Sequence, residues 1–301
     1  MLNGDRVKLY QRKNMPLVVK PIAASIQGVR LNRVAISSGN NGLVNSTYQI
    51  NGDRTSLQNG LLLLNWQSKN QTWNHDNAIG LESLYLDQTT IPNFQVTEYL
   101  VMLPPVDSAL ADYQLTATYL NQKSGKTYPI TVPPIEIEPI SDRLSELDLI
   151  SKLHQLGKLF AQGNIDAVFS EISILNQYDP IQEYLIHAQQ AIAHRIDKGD
   201  RRLELRYTLA LTQALRIQVE PLLNNLTQIT KLDPQNPAGW TYLAVVRLYN
   251  WQPIAAEMAL KQAESLPSPP AALSTLKIIS ALFRCDLPQV WHRIQLGSKL
   301  T

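Results

Sequence analysis

The chain has 301 residues, a length that predicts two domains at roughly 100–200 residues each. Its 44% hydrophobic and 17% charged content exclude a disordered chain and a highly charged coiled coil. Lys plus Arg number 27 against 25 for Asp plus Glu, a net charge of +2 that gives no reason to expect nucleic acid as the partner. The single cysteine, Cys285, excludes an intrachain disulfide framework and a cysteine-based zinc site.

No segment is apolar enough to span a bilayer: the longest apolar run, 61–64, is strand-length, and a span needs roughly 20 residues. At the start, Asp5, Arg6, Lys8, Arg12 and Lys13 interleave with Leu9, Tyr10 and Met15, which leaves no apolar h-region for a secretory signal. The chain therefore reads as soluble, with its compartment open. If it works outside the cytoplasm, something upstream or alongside must place it there; as part of a larger protein it would be membrane-associated on the extracytoplasmic side. Residues 1–33 hold Arg6, Lys8, Arg12, Lys13, Lys20, Arg30 and Arg33 against Asp5, a net of +6 that leaves −4 for the remainder. This basic start is either a solvated strand edge, where lysine blocks edge pairing, or a contact with anionic lipid headgroups.

Up to about residue 140 the apolar residues alternate or come in short runs. Strands are expected at 29–36, 61–66, 95–102 and 114–120, the last a period-2 segment rich in β-formers. Turn signals separate them at 38–42, 51–53, 59–60 and 123–126. The segments 115–119 and 128–132, joined across Lys123-Ser124-Gly125-Lys126, predict a β-hairpin. Short strands with regular turns and no helices between them indicate an antiparallel β-sandwich. Pro133, Pro134 and Pro139 bracket Ile135-Glu136-Ile137-Glu138, which is thereby a last edge strand or an extended connector, with Glu136 and Glu138 solvated.

From Ser141 the period becomes helical. Ser141 and Asp142 read as the N-terminal cap of a stripe formed by Leu144, Leu147, Ile150, Leu153 and Leu156. Helices are expected at 142–162, 164–177, 180–197, 201–216, 219–231, 237–249, 252–265, 269–283 and 287–296. The breaks are marked by Gly163-Asn164, Asp179-Pro180, Lys198-Gly199-Asp200, Asp233-Pro234, Pro253 and the prolines of 267–270. The predicted architecture is thus α+β and multidomain: an N-terminal β-sandwich over 1–140, then an all-α solenoid over 141–301.

Residues 237–268 carry a specific spacing: Pro237, Trp240, Leu243, Ala244, Ala256, Leu260, Ala263 and Pro267. Ala244, Ala256 and Ala263 let two antiparallel helices approach closely, a bulky residue packs against them, and proline ends the pair. This spacing resembles the tetratricopeptide repeat, departing from it at Arg247, where the pattern has an aromatic residue. Thirty-four residues earlier, Leu209-Ala210, Leu226, Ile229 and Pro234 fall on the same template, with Arg206 and Leu222 out of pattern. Leu156-Gly157, Phe160, Gly163 and Ala167 resemble a compressed copy. The resemblance implies a groove that binds a protein or peptide partner, for which Tyr207, Gln213, Tyr242 and Arg247 are the candidate exposed residues.

In the first half, the order of 61–66, then 95–105 ending in Leu103-Pro104-Pro105, then 112–120 and a Ser124-Gly125-Lys126-Thr127 hairpin is similar to a small β-sandwich. That module follows the membrane part of some bacterial polyprenol-sugar-dependent glycosyltransferases. The resemblance implies an extracytoplasmic accessory module, with a multispanning membrane protein as a possible partner, and it carries over no catalytic residue. Trp66, Trp73, Tyr85 and Tyr99 are candidate sugar-stacking rings. Trp73, with His75 and Asp76 in the Asn74–Asn77 turn, is the candidate glycan contact; the alternative is a core aromatic beside an ordinary turn.

Catalytic sets are not found. There is no G-x-S-x-G elbow, no G-x-x-x-x-G-K-[ST] loop and no G-x-G-x-x-G. His187 and His194 lie seven residues apart, about 10.5 Å along a helix, too far for one metal ion. Cys285, after Phe283, reads as a small buried hydrophobe. No catalytic residue, metal ligand or cofactor is expected. The sequence points to a non-enzymatic interaction scaffold linked to envelope or glycan assembly, or to a detached accessory module of a membrane glycosyltransferase that contacts glycan.

Overall fold

A computed structural model of the chain describes residues 17–21, 28–39, 42–69, 71–79, 93–104, 109–139, 149–168, 170 and 181–297. Arg6, Lys8, Arg12, Lys13, Tyr85, the Ser141-Asp142 cap and the Asp179-Pro180 break lie outside the described residues. An N-terminal region of two β-sheets is followed by a helical region. Two compact units result: Met1–Leu153 with Ile174–Ala191, and His154–Ser173 with Ile192–Thr301.

In the first unit the strands are β1 (Leu17–Pro21), β2 (Val29–Ser38), β3 (Val44–Asp53), β4 (Gly60–Ser68), β5 (Gln71–Asn74), β6 (Asn77–Ala78), β7 (Asn93–Met102), β8 (Tyr113–Asn121), β9 (Thr127–Ile130) and β10 (Ile135–Ile137). One sheet runs β1-β7-β3-β2-β10 and the other β5-β4-β8-β9, with β6 also paired to β4. All described pairings are antiparallel except β10 on β2. The expected hairpin is present as β8 and β9, which pair Tyr119 with Tyr128.

Side chains of both sheets meet in one apolar cluster. Val34, Ile36, Tyr48, Ile50, Phe94 and Val96 come from one sheet, and Leu62, Leu64, Trp66, Leu115 and Tyr119 from the other. Each fully buried side chain of this kind stabilises by about 1.5–3 kcal/mol. The uninterrupted apolar run of β4 has a simple cause. Alternate residues point to opposite faces of a strand, and β4 is covered on both. Leu62, Leu64 and Trp66 enter the main cluster, while Leu61 and Leu63 join Ala78, Leu120 and Ala191 in a second one.

A short helix, α1 (Arg54–Gln58), links β3 to β4. Its cap is Asp53, whose side chain accepts the Ser56 N–H at 2.9 Å. The carboxylates of Glu136 and Glu138 are not simply solvated as expected. β10 brings both to Arg33 of β2, whose guanidinium donates to Glu136 at 2.6 and 2.9 Å and to Glu138 at 2.7 Å. Hydrogen bonds to the two carboxylates raise the Arg33 pKa further.

The helices are α2 (Leu149–Ala161), α3 (Ile181–Asp197), α4 (Leu203–Leu215), α5 (Val219–Leu232), α6 (Pro237–Tyr249), α7 (Pro253–Glu264), α8 (Leu273–Phe283) and α9 (Leu287–Gly297). Ala244, Ala256 and Ala263 are buried within one cluster that also takes in Tyr207, Ala210, Leu226, Ile229, Leu243 and Leu260. Small residues here serve close helix approach, as the spacing predicts. Closest is Gly157 of α2: a Cβ there would sit 2.0 Å from Thr208 Oγ1 on α4.

Candidate functional site

Helices in the second unit end in a repeated way. After α4, α6 and α8 the chain enters a left-handed conformation for one residue: Ile217 (φ 54°), Trp251 (φ 55°) and Cys285 (φ 56°). These positions are 34 residues apart, from 217 to 251 and from 251 to 285. Gly163 (φ 75°) and Gly199 (φ 97°) occupy the same place after α2 and α3.

Each turn closes with the same two hydrogen bonds. Gln218, Gln252 and Asp286 donate their N–H back to the carbonyls of Gln213, Arg247 and Ala281 at 2.9, 2.8 and 3.0 Å. Ile217, Trp251 and Cys285 donate to Ala214, Leu248 and Leu282 at 3.0, 3.1 and 2.9 Å. This is the Schellman cap, whose left-handed residue is usually glycine because a Cβ is unfavourable there.

Ile217 and Trp251 instead stand 72% and 79% exposed, and Cys285 is exposed as well. The expectation that Cys285 is a buried hydrophobe is thereby corrected: the cap turns it out to solvent. The Trp251 ring stacks on Phe283 of α8, with centroids 5.0 Å apart and planes 12° from parallel. Tyr249, Ile254 and Met258, on either side of Trp251 in sequence, are also exposed. The sequence reading missed these residues. An apolar aromatic in a turn, one repeat length from Ile217, was the available signal.

The residues expected to be exposed on the helical groove lie elsewhere. Tyr207, Gln213 and Tyr242 are buried, because each polar tip finds an internal partner. The Tyr207 hydroxyl donates to Asp233 Oδ2 at 3.2 Å and accepts from Asn236 Nδ2 at 3.0 Å. The Tyr242 hydroxyl donates to the Phe160 carbonyl at 2.8 Å, and its ring stacks on that of Phe160 at 3.8 Å. Gln213 Oε1 accepts from Asn225 Nδ2 at 3.4 Å. Asn236 Nδ2 also donates to the Ala161 carbonyl at 2.9 Å, which ties α2 to the turn before α6. Burial, with the Asp233 carboxylate beside it, pushes the Tyr207 phenol well above the usual tyrosine range, and burial alone does so for Tyr242. Arg247 is half-buried and donates to the Ala255 carbonyl at 2.9 Å, bracing α6 against α7, while burial lowers its pKa.

Of the candidate glycan platform, Trp73 is half-buried against the core and His75 and Asp76 are buried. Trp73, paired with Trp66 in register, stacks on it at 6.3 Å and meets Tyr113 edge-on at 5.2 Å. The Tyr48 hydroxyl accepts from Trp66 Nε1 at 3.2 Å and lies 3.3 Å from His75 Nδ1. Asp76 Oδ1 accepts the Leu64 N–H at 2.9 Å. Tyr48, Trp66, His75 and Asp76 are thus engaged inside the fold where β4, β5 and β3 meet, while Trp73 packs on Trp66 and Tyr113 with its Nε1 buried and unpartnered.

A second polar cluster sits between the last helices. Glu257 of α7 is buried and accepts from Arg293 at 3.0 Å, with Arg284 at 3.6 Å. Burial pushes its pKa up, but the Arg293 hydrogen bond and the two guanidinium charges outweigh that and hold it below the ordinary glutamate value. Among the described residues no group of three His, Cys, Asp or Glu side chains gathers as metal ligands, and no helix is long and apolar enough to cross a membrane. No protein-family model matches the chain, and no curated protein matches it.

Proposed function

We propose that this chain is a non-enzymatic interaction protein. In this reading the two sheets form a β-sandwich, and the helices form a degenerate tetratricopeptide-type solenoid whose exposed turns dock an apolar segment of a partner protein. One observation carries it. At three turns 34 residues apart, where glycine is the unstrained choice, the chain holds exposed Ile217, Trp251 and Cys285 in the left-handed conformation. A non-glycine residue there costs about 1–2 kcal/mol, and residues held against such a cost cluster at functional positions. Exposed tryptophan and tyrosine are also the commonest anchors of protein interfaces.

The buried small residues Ala244, Ala256 and Ala263 support the repeat reading. The interior placement of Tyr207, Gln213 and Tyr242 moves the proposed docking surface from the helix flank to the turns. The interior placement of His75 and Asp76 gives no support to glycan contact at that site.

Crosslinked affinity purification of the full chain tests the proposal, with Trp251→Ala and the exposed control Lys231→Ala alongside. A defined partner recovered with the unaltered chain and the Lys231 variant, and lost with the Trp251 variant, is expected. Recovery that ignores Trp251 overturns the docking surface.

A further inference from the structure

Thr208 of α4, Tyr242 of α6 and Leu276 of α8 are spaced by the same 34 residues as the left-handed turns, and so are Tyr207, Thr241 and Thr275. They make one row across the three helices. At α8 the row meets solvent: Thr275 is exposed and Leu276 half-buried. At α4 and α6 it is buried, and α2 lies on it. Gly157 sits on Thr208 with no room for a Cβ between them. The Phe160 ring stacks on Tyr242 at 3.8 Å and meets Tyr207 edge-on at 6.3 Å. The Tyr242 hydroxyl and Asn236 Nδ2 donate to the Phe160 and Ala161 carbonyls at the end of α2. Helix α2 is not one more member of the series. Phe160 precedes Tyr242 by 82 residues, off the 34-residue step. It reaches α4 and α6 together, where a unit in a stack touches only its neighbours. From α4 to α9 each helix packs along the next, whereas among the described residues α2 makes no such extended pairing with any one element.

We infer that the second half of α2, His154–Ala161, is a latch. It is seated on the Tyr207–Thr208–Tyr242 face in the structure and lifts from it in a second, less populated state, while α4 to α9 stay folded. Two observations carry this. The first is how little of the latch is interior. In His154–Ala161 only Leu156 and Gly157 are buried. The buried cluster beneath runs from Tyr207 to Leu273, and Phe160 and Ala161 pack on it from outside, partly buried. Segments with few buried apolar contacts open at less than the global unfolding free energy. The second is that lifting leaves no polar group stranded. Tyr207 keeps Asp233 and Asn236, Asn236 keeps Asp233, and Thr208 Oγ1 keeps the Glu204 carbonyl. The Tyr242 hydroxyl and the Phe160 and Ala161 carbonyls pass to water, so no buried donor or acceptor is left unpaired to oppose opening. Opening extends the solvent-facing row from α8 back over α6 and α4. The seat of α2 thereby controls how much of that face is available. The latch and the exposed turns use different residues, and either stands without the other.

Thiol labelling of the purified full chain under native conditions reads the latch. Cys285→Ser removes the exposed native thiol. In that background Thr208→Cys places a thiol of similar size under Gly157, and Ala263→Cys, in the buried cluster, reports unfolding of the helical region. The thiol at position 208 is expected to react about tenfold faster than the one at 263, because local opening precedes global unfolding. Phe160→Ala, which removes the ring stacked on Tyr242, speeds labelling at 208 by about a further tenfold and leaves 263 unchanged. Tyr242→Phe, which deletes only the hydrogen bond to the Phe160 carbonyl, acts in the same sense by about threefold and serves should Phe160→Ala disturb folding. Equal rates at 208 and 263 overturn the inference, since α2 then leaves only when the helical region unfolds. Acceleration of both positions alike by these variants also overturns it, as does a rate at 208 that ignores both.

Discussion

Replacing Ile217 by glycine makes the protein more stable. Ile217 is β-branched, its φ is 54°, and most of its side chain is in solvent. Removing the Cβ relieves about 1–2 kcal/mol of left-handed strain. Against this stand the extra freedom of glycine in the unfolded chain, up to about 1 kcal/mol, and a small loss of apolar burial. The net gain is about 0.5–1 kcal/mol, or roughly 2–4 °C in melting temperature for a unit of this size. Thermal and urea unfolding followed by circular dichroism measure it, with Ile217→Ala as the control that shortens the side chain but keeps the Cβ. The alanine variant stays within about 0.5 kcal/mol of the parent. A glycine variant no more stable than the alanine variant would refute the strain argument. At Trp251→Gly the same relief is offset by loss of the stack on Phe283, worth about 0.5–1.5 kcal/mol, so stability stays within about 1 kcal/mol of the parent while partner binding is lost.

Other parts of the molecule make equally concrete predictions. Gly157→Ala places a methyl 2.0 Å from Thr208 Oγ1 and costs about 1–3 kcal/mol by overpacking; adding Thr208→Ala recovers part of the loss, and a double-mutant cycle in urea reads the coupling. Glu257 has a depressed pKa in the folded state, so its contribution is present above the unfolded value near 4.5 and is lost as pH falls through the folded pKa. Glu257→Gln therefore costs about 2 kcal/mol at pH 7 and flattens the acid limb of the stability–pH curve. Tyr207 and Tyr242 have raised pKa values, so their contribution is intact below the unfolded tyrosine value near 10 and is lost at higher pH. Tyr242→Phe makes that alkaline loss shallower in chemical denaturation between pH 9 and 11.

Much of the element order is legible in the sequence, because strands and helices that bury one face advertise their period. The hairpin of β8 and β9 follows from alternation around Ser124-Gly125, and α4 to α9 follow from helical stripes broken by proline and polar pairs. Strand β3 is not legible in the same way. It pairs with β2 on one edge and β7 on the other, and it buries Ser46 and Thr47 as well as Tyr48 and Ile50, so no clean apolar alternation marks it. The candidate site misled for a related reason. Tyrosine and glutamine on a helix look solvent-facing until internal groups pair with their polar tips: Asp233 and the Phe160 carbonyl accept from Tyr207 and Tyr242, and Asn225 donates to Gln213 here. The Schellman turns were hidden because their left-handed residues are isoleucine, tryptophan and cysteine, which announce no turn. The 34-residue spacing from Ile217 to Trp251 was the one sequence signal, and the left-handed backbone shows that 217, 251 and 285 are equivalent.

The central claim is that the exposed turns of the helical region bind a protein. Site-specific photo-crosslinking in cells tests it most directly, with a photoreactive residue introduced in turn at Trp251, at Phe283 and at the exposed control Lys231. The account predicts one defined adduct with another protein from 251 and 283 and none from 231. Equal adducts from all three positions, or no adduct from 251 and 283, would contradict it.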